Sequence, residues 1–255
     1  MSVSHPQSNS RATAPEQAQI RIDLAACYRL VAHFRMTDLS YTHISARLPG
    51  DGEQFLLNAF GLLFEEVTAT NLVTVDAAGR VLRDPTGLGI NPAGFVIHSA
   101  VHAARPDVAC VLHVHTMAGM AVSAQEEGLM PITQHAMRFH NRIGYHEYEG
   151  IAIDESERAR LARDLGSHKA MILRNHGLLT CGSSVAEAFN LMYYLERACQ
   201  AQVGALAGGS RLHVPSVEAI DTTARIFDSA GPAALANDWK ALIRMLDRAD
   251  PSYRN

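Results

Sequence analysis

Two histidines separated by one residue in an apolar run constrain this chain more than any other feature. In Arg105-Pro-Asp-Val-Ala-Cys-Val-Leu-His113-Val-His115-Thr116, residues Val111, His113 and His115 alternate with Leu112 and Val114. That period of two predicts a strand with both imidazoles on one face. Burying two imidazoles side by side without a shared partner costs free energy, and a metal ion is a partner both can reach. A third imidazole comes from residues 169–180, an apolar stretch that predicts another strand running into Asn175-His176-Gly177. Three neutral imidazoles with coordination positions left over are the ligand set of a catalytic metal centre. Spacing alone does not bring His176 to the other two.

The bulk properties narrow the setting. At 255 residues and 47% hydrophobic content, the chain is long enough for one large domain with a substantial core. Its net charge is −4, it has no basic runs, and aromatics make up 6%. It therefore carries no signature of nucleic-acid binding or of an anionic membrane surface. No apolar segment approaches the roughly 18 residues of a membrane-spanning helix. The N-terminus lacks the apolar core of a secretory signal. Cys27, Cys110, Cys181 and Cys199 sit in apolar contexts without a C-x-x-C pair, which places the chain in a reducing cytoplasm.

Read in order, residues 1–18 are expected to be a disordered tail, 19–210 the main domain, and 211–255 a C-terminal helical extension. A first helix carries the stripe Leu24, Cys27, Val31, Phe34. Ile44 to Leu57 reads as a hairpin about Pro49-Gly-Asp-Gly52. Asn91-Pro opens a helix that Arg105-Pro106 stops, with His98 and His102 at i, i+4 reading as hydrogen-bonded residues on one of its faces. Asp154 with Glu157, and Ser184 with Glu187, form capping boxes for two later helices.

The motifs Arg105-Pro-Asp-Val-x-x-Val-x-His-x-His-Thr and Asn175-His-Gly-Leu-Leu resemble those of the class II aldolase/adducin family. The likeness runs from about Leu24 to Ala207 and includes the order of elements. It implies an α/β fold, an α/β/α sandwich around a mainly antiparallel sheet, assembled as a homotetramer with active sites at subunit interfaces. It also implies a divalent metal on His113, His115 and His176, zinc in the first instance, with manganese or ferrous iron as alternatives.

The chain departs from the sugar-phosphate aldolases of that family where chemistry is concerned. Their catalytic glutamate is matched here by Gly94, which cannot abstract a proton. The chain thus resembles a bacterial, adducin-like branch without that residue. Their phosphate cradle is matched by Thr42-His43 and Pro92-Ala93, with no arginine or glycine-rich loop in compensation. Their proton-donating tyrosine falls on His135, a candidate acid–base group. His43 and Arg138 are candidates for contacting a substrate, and His140, Tyr145 and His146 are polar neighbours in the same region. Asn175 is a candidate for orienting a metal histidine, while Trp239, Arg244 and Tyr253 read chiefly as packing residues.

Three functions fit. One is a metal-dependent lyase, of decarboxylase or aldolase type, acting on a small non-phosphorylated oxo- or hydroxy-carboxylate. Another is a non-haem Fe(II) oxygenase that cleaves a 2-oxo acid. The third is a non-catalytic, adducin-like binding or scaffold protein.

Overall fold

The period-two runs become strands of one sheet. In chain order they are β1 (His43–Leu48), β2 (Gln54–Leu57), β3 (Val73–Asp76), β4 (Val81–Arg83), β5 (Cys110–Val114), β6 (Ile143–His146), β7 (Ala170–Leu173) and β8 (Gly177–Gly182). The computed structural model describes residues 14–50, 52–150, 155–229 and 231–255, and among these the sheet order is β4-β3-β2-β1-β5-β8-β7-β6. Every neighbouring pair is antiparallel except β6 and β7. That parallel pair requires a crossover, which α5 (Glu155–Leu165) supplies.

The stretch 169–180 is a tight hairpin rather than one strand. β7 and β8 pair with Leu173 opposite Gly177, leaving residues 174–176 as the turn. Asn175 takes a left-handed backbone (φ 55°) there, a conformation asparagine tolerates better than most residues. Its side chain is exposed, so Asn175 shapes the turn rather than gripping an imidazole. Gly177 answers a different need. A Cβ on it would lie 2.5 Å from the Val114 carbonyl oxygen and 3.2 Å from the His115 ring.

Helices cover both faces of the sheet. The larger core lies under α1 (Ala14–His33), α3 (Met117–Ser123), α6 (Val185–Ala207) and α8 (Gly231–Ala249), and includes Leu24, Tyr28, Leu112, Leu178 and Phe189. The opposite face is covered by α2 (Pro92–Ala104) and α5, where Ile97, Val101, Val111, Leu161 and Leu179 pack together. α4 (Gln134–Met137) and α7 (Val217–Ser229) pack beside α6. At the start of α6, the Ser184 hydroxyl accepts from the Glu187 amide and Glu187 accepts from the Ser183 amide (2.8 Å). The predicted cap thus forms with its return bond one residue early. The Asp154 cap lies outside the described residues.

One boundary differs from expectation. Helix α1 already begins at Ala14, inside the stretch expected to be disordered, because Ala-Pro-Glu-Gln-Ala is a good first turn with proline and an acidic residue at its start. Residues 1–13 lie outside the described part. The C-terminal segment is no appendage, for Leu246 and Tyr253 belong to the main core. The Tyr253 carbonyl accepts from the Ala69 amide (2.9 Å) and its hydroxyl donates to Asp247 (2.7 Å). Among the described residues no helix is long and apolar enough to cross a membrane.

Candidate metal centre

The sheet brings the three expected ligands together from the end of β5 and the turn of the β7–β8 hairpin. His113 is on β5, His115 lies just past the last strand residue Val114, and His176 is in the β7–β8 turn, which sits beside them because β8 pairs with β5. The ligating atoms lie within 4.8 Å of one another. Nε2 of His115 is 2.8 Å from Nε2 of His113 and 2.9 Å from Nε2 of His176.

The far sides of two rings decide what those nitrogens can do. Nδ1 of His113 donates to the Leu178 carbonyl (2.9 Å), and Nδ1 of His115 donates to the Asp38 carboxylate (2.9 Å). A neutral ring with its proton on Nδ1 presents a lone pair at Nε2. Lone pairs at 2.8 Å repel one another unless a cation lies between them, so the donor set fits a divalent ion. Burial and the neighbouring imidazoles hold His113 well below the usual histidine range, and burial followed by His115 lowers His176 to about 4. His113 and His176 are therefore neutral at pH 7, as metal ligation needs. Asp38 has the role of the carboxylate that orients a ligating histidine. It lies 77 residues from His115, and no spacing rule would have found it.

The same sheet face carries a second run of imidazoles. His43 stands directly opposite His113 in the β1–β5 register, with ring centroids 5.8 Å apart. On its other side His43 lies 4.3 Å from the His98 ring. The Ser45 hydroxyl bridges Nδ1 of His98 (2.6 Å) and Nε2 of His102 (2.8 Å), donating to one and accepting from the other. Burial lowers His43 to about 4 and His102 to about 3, and holds His98 well below the usual histidine range. Neither ring nitrogen of His43 meets a well-aligned partner, although the Gly94 and Thr42 backbones lie beside the ring, and the adjacent Thr42 hydroxyl is also buried and unpartnered. Thr42 has φ 68°, a strained conformation for a β-branched residue. Buried polar atoms without partners, beside a ligand-poor metal site, are what a pocket built for a polar ligand contains.

The other predicted residues lie elsewhere in the chain. His135, on α4, packs against the Tyr194 ring (4.9 Å between centroids). Arg138 donates to Asn190 (2.8 Å) and lies over the Tyr194 and Phe227 rings. Neither touches a metal histidine within one chain. Arg138 borders a cavity of about 990 Å³ between the α6 start and α7, whereas the hollow reaching His176 is about 10 Å³. Size and chemistry disagree here, and chemistry is the better guide because the large cavity is lined by groups already paired, such as Arg142 with Asp228 and Lys169 with Glu187. Tyr145 donates to nothing catalytic; its hydroxyl accepts from the Leu129 amide (3.1 Å). His140 lies 3.5 Å from Asp221, and His146 is held by Asp164 (2.8 Å).

A mainly antiparallel sheet between helical layers, with three imidazoles converging at one end, defines an α/β/α sandwich with a candidate metal centre. The chain belongs to the class II aldolase and adducin family: the family profile for the class II aldolase and adducin N-terminal domain matches residues 22–203. The crystal structure of an aldolase II superfamily protein from Pseudomonas syringae is 53% identical, covering 95% of this chain and 98% of that one, with a TM-score of 0.92. An L-fuculose 1-phosphate aldolase from Glaciozyma antarctica is 29% identical over 96% of each chain, with a TM-score of 0.83. Alpha-adducin of Rattus norvegicus is 47% identical over 190 residues, which are 74% of this chain but 26% of adducin.

Proposed function

We propose that the chain is a divalent-metal-dependent carbon–carbon lyase acting on a small, non-phosphorylated oxo- or hydroxy-carboxylate. The observation that carries this reading is the convergence of three imidazole nitrogens, two of them fixed as acceptors by Leu178 and Asp38. A metal bound there, zinc in the first instance, acts as a Lewis acid toward the carboxylate and neighbouring oxygen of a chelating substrate. His113, His115 and His176 hold it; Asp38 keeps His115 in the ligating tautomer; His43 and Thr42 present unpartnered polar atoms to the substrate. Loss of carbon dioxide leaves the bonding electron pair on the remaining fragment and needs no base to begin, which suits a chain with Gly94 in place of a glutamate.

A product fragment must still be reprotonated. In a homotetramer with active sites between subunits, His135 is the proposed donor and Arg138 a proposed carboxylate contact, each serving a neighbouring copy. Four free, buried cysteines suit a reducing compartment, and we place the protein in the cytoplasm. The kinship with alpha-adducin favours a second reading, a scaffold without turnover.

One experiment separates these. Purified protein should hold roughly one divalent ion per chain, lost when His113 and His115 are both changed to alanine. With a panel of 2-oxo and hydroxy carboxylates it should release carbon dioxide or an aldehyde without consuming oxygen. Oxygen uptake with bound iron would make it an oxygenase, and a protein that takes up no metal would be the scaffold.

A further inference from the structure

Gly94 looks at first like a simple loss of the family's glutamate, but its surroundings say otherwise. It lies in the first turn of α2, facing β1. A Cβ built on it would fall 2.2 Å from Cε1, 2.3 Å from Nε2 and 2.7 Å from Nδ1 of His43. Three ring atoms at such distances mean that the imidazole fills the space any side chain at 94 would enter. Gly94 has no left-handed backbone to excuse it, so only the ring makes glycine necessary here. The ring has little freedom to retreat. His98 lies against it at 4.3 Å between centroids, His113 at 5.8 Å, and the residue is 6% exposed. What the glycine admits is a polar ring with no side-chain partner and no well-aligned hydrogen bond, its nearest polar neighbours being the Gly94 and Thr42 backbones, beside the candidate metal centre.

We propose that Gly94 and His43 are one steric unit, in which the glycine makes room for an imidazole that forms the ligand-contacting wall of the metal pocket. The ligand it suits is a small chelating carboxylate, whose oxygens can accept from one ring nitrogen while the metal holds the others. The steric half stands on packing alone, and the ligand half rests on the metal-centre reading above.

The test has two arms. In the first, thermal midpoints are measured for the full chain, Gly94→Ala, His43→Ala and the double variant. Glycine to alanine in a helix without steric conflict is stabilising, and should raise the midpoint of the His43→Ala protein by about 2 °C. In the native background the same change should lower it by about 5 °C or more. This reversal of sign is the expected result. A Gly94→Ala protein that fails to fold, rescued in the double variant, supports the unit equally, and equal shifts in both backgrounds overturn it.

In the second arm, Co(II)-loaded protein is titrated with oxalate and followed by the visible absorption of the ion. His43→Ala should weaken oxalate binding about tenfold or more while Co(II) affinity stays within about twofold. Unchanged oxalate affinity overturns the ligand contact. If the native chain takes up no Co(II), the metal-centre reading falls and takes the ligand half with it, while the first arm still decides the steric unit.

Discussion

Two regions of this molecule hold clustered polar side chains, and they differ in a way that bears on function. Between the sheet and α2 lie His43 and His113 on strands and His98 and His102 on the helix, and neither ring nitrogen of His43 has a well-aligned partner. The cleft between α4, α6 and α7 has the larger cavity and more charge, yet its charged groups are engaged, Arg138 with Asn190 and Arg142 with Asp228, and Nδ1 of His135 on α4 is the buried atom there without a partner. Buried polar atoms are normally paired. A region that leaves them unpaired is held in readiness for something absent from the chain itself, while a region that pairs them has finished its work in folding. The contrast makes large differences between the two regions testable.

The largest expected effect is at Gly177. Its Cβ would collide with backbone, the Val114 carbonyl at 2.5 Å, and press on the His115 ring. Gly177→Ala should cost about 1–3 kcal/mol of stability and disturb two ligands together, so that metal affinity, measured by competition with a chelator, falls along with the denaturation midpoint. A metal-competent Gly177→Ala protein would mean that the hairpin turn does not position the centre.

Asp38→Ala comes next. The carboxylate accepts from His115 Nδ1 at 2.9 Å and is partly exposed, so removing it should leave the fold nearly unchanged. Loss of such a supporting carboxylate typically weakens metal binding about 10–100-fold. If Arg138→Gln lowered metal affinity as much as Asp38→Ala, the division between the two regions would collapse.

Those residues also show what could be read in advance and what could not. The alternation around His113 and the Asn-His-Gly motif gave the candidate ligands, and the β1–β2 hairpin was legible in the same way, because strand period and turn chemistry are local properties of the chain. The sandwich and its mainly antiparallel sheet came instead from the resemblance to the class II aldolase/adducin family. Asp38, Ser45 and the contact between His43 and Gly94 were not, since each depends on which strands become neighbours. β1 lies beside β5 and not beside β4, and nothing within 43–48 says so. His98 and His102 were visible as a helix pair, but the serine that joins them lies 53 and 57 residues away. The start of α1 at Ala14 escaped for another reason: a segment that looks polar by composition is ordered by the surfaces it meets.

A third prediction uses pH. Burial holds His102 neutral and lowers it to about 3, against an ordinary value of 6.5, and His98 is shifted in the same direction. As the pH falls below about 6.5, the unfolded chain takes up protons that the folded chain refuses, so stability declines toward acid. Each such group contributes a slope of about 1.4 kcal/mol per pH unit across its window. Denaturant midpoints between pH 7.5 and 4.5 should therefore fall steadily, and His102→Gln should flatten the curve by about one group's share. The Arg47 charge beside His102 acts in the same direction as burial, so the flattening should survive moderate salt. A curve equally steep in the variant would mean that the imidazole under α2 protonates freely and that this face is not the dry, neutral layer described above.

The smallest effect is expected at His135, and it bears on the assembly. Its ring rests on Tyr194, and no metal histidine of the same chain is in contact with it. His135→Gln keeps a polar side chain at a partly exposed position, so the cost in stability should stay within about 0.5 kcal/mol and the metal content should not change. Turnover is the separate measurement. If His135 donates a proton across a subunit interface, activity with the best carboxylate substrate should drop about 100-fold or more while the sedimentation behaviour of the variant matches the native protein. Unchanged turnover would leave His135 on the packed side of the contrast, with Arg138, and would move the search for the proton donor to groups bordering the metal face itself, of which Tyr148, 6.5 Å from the His176 ring and exposed, is placed to be tested first.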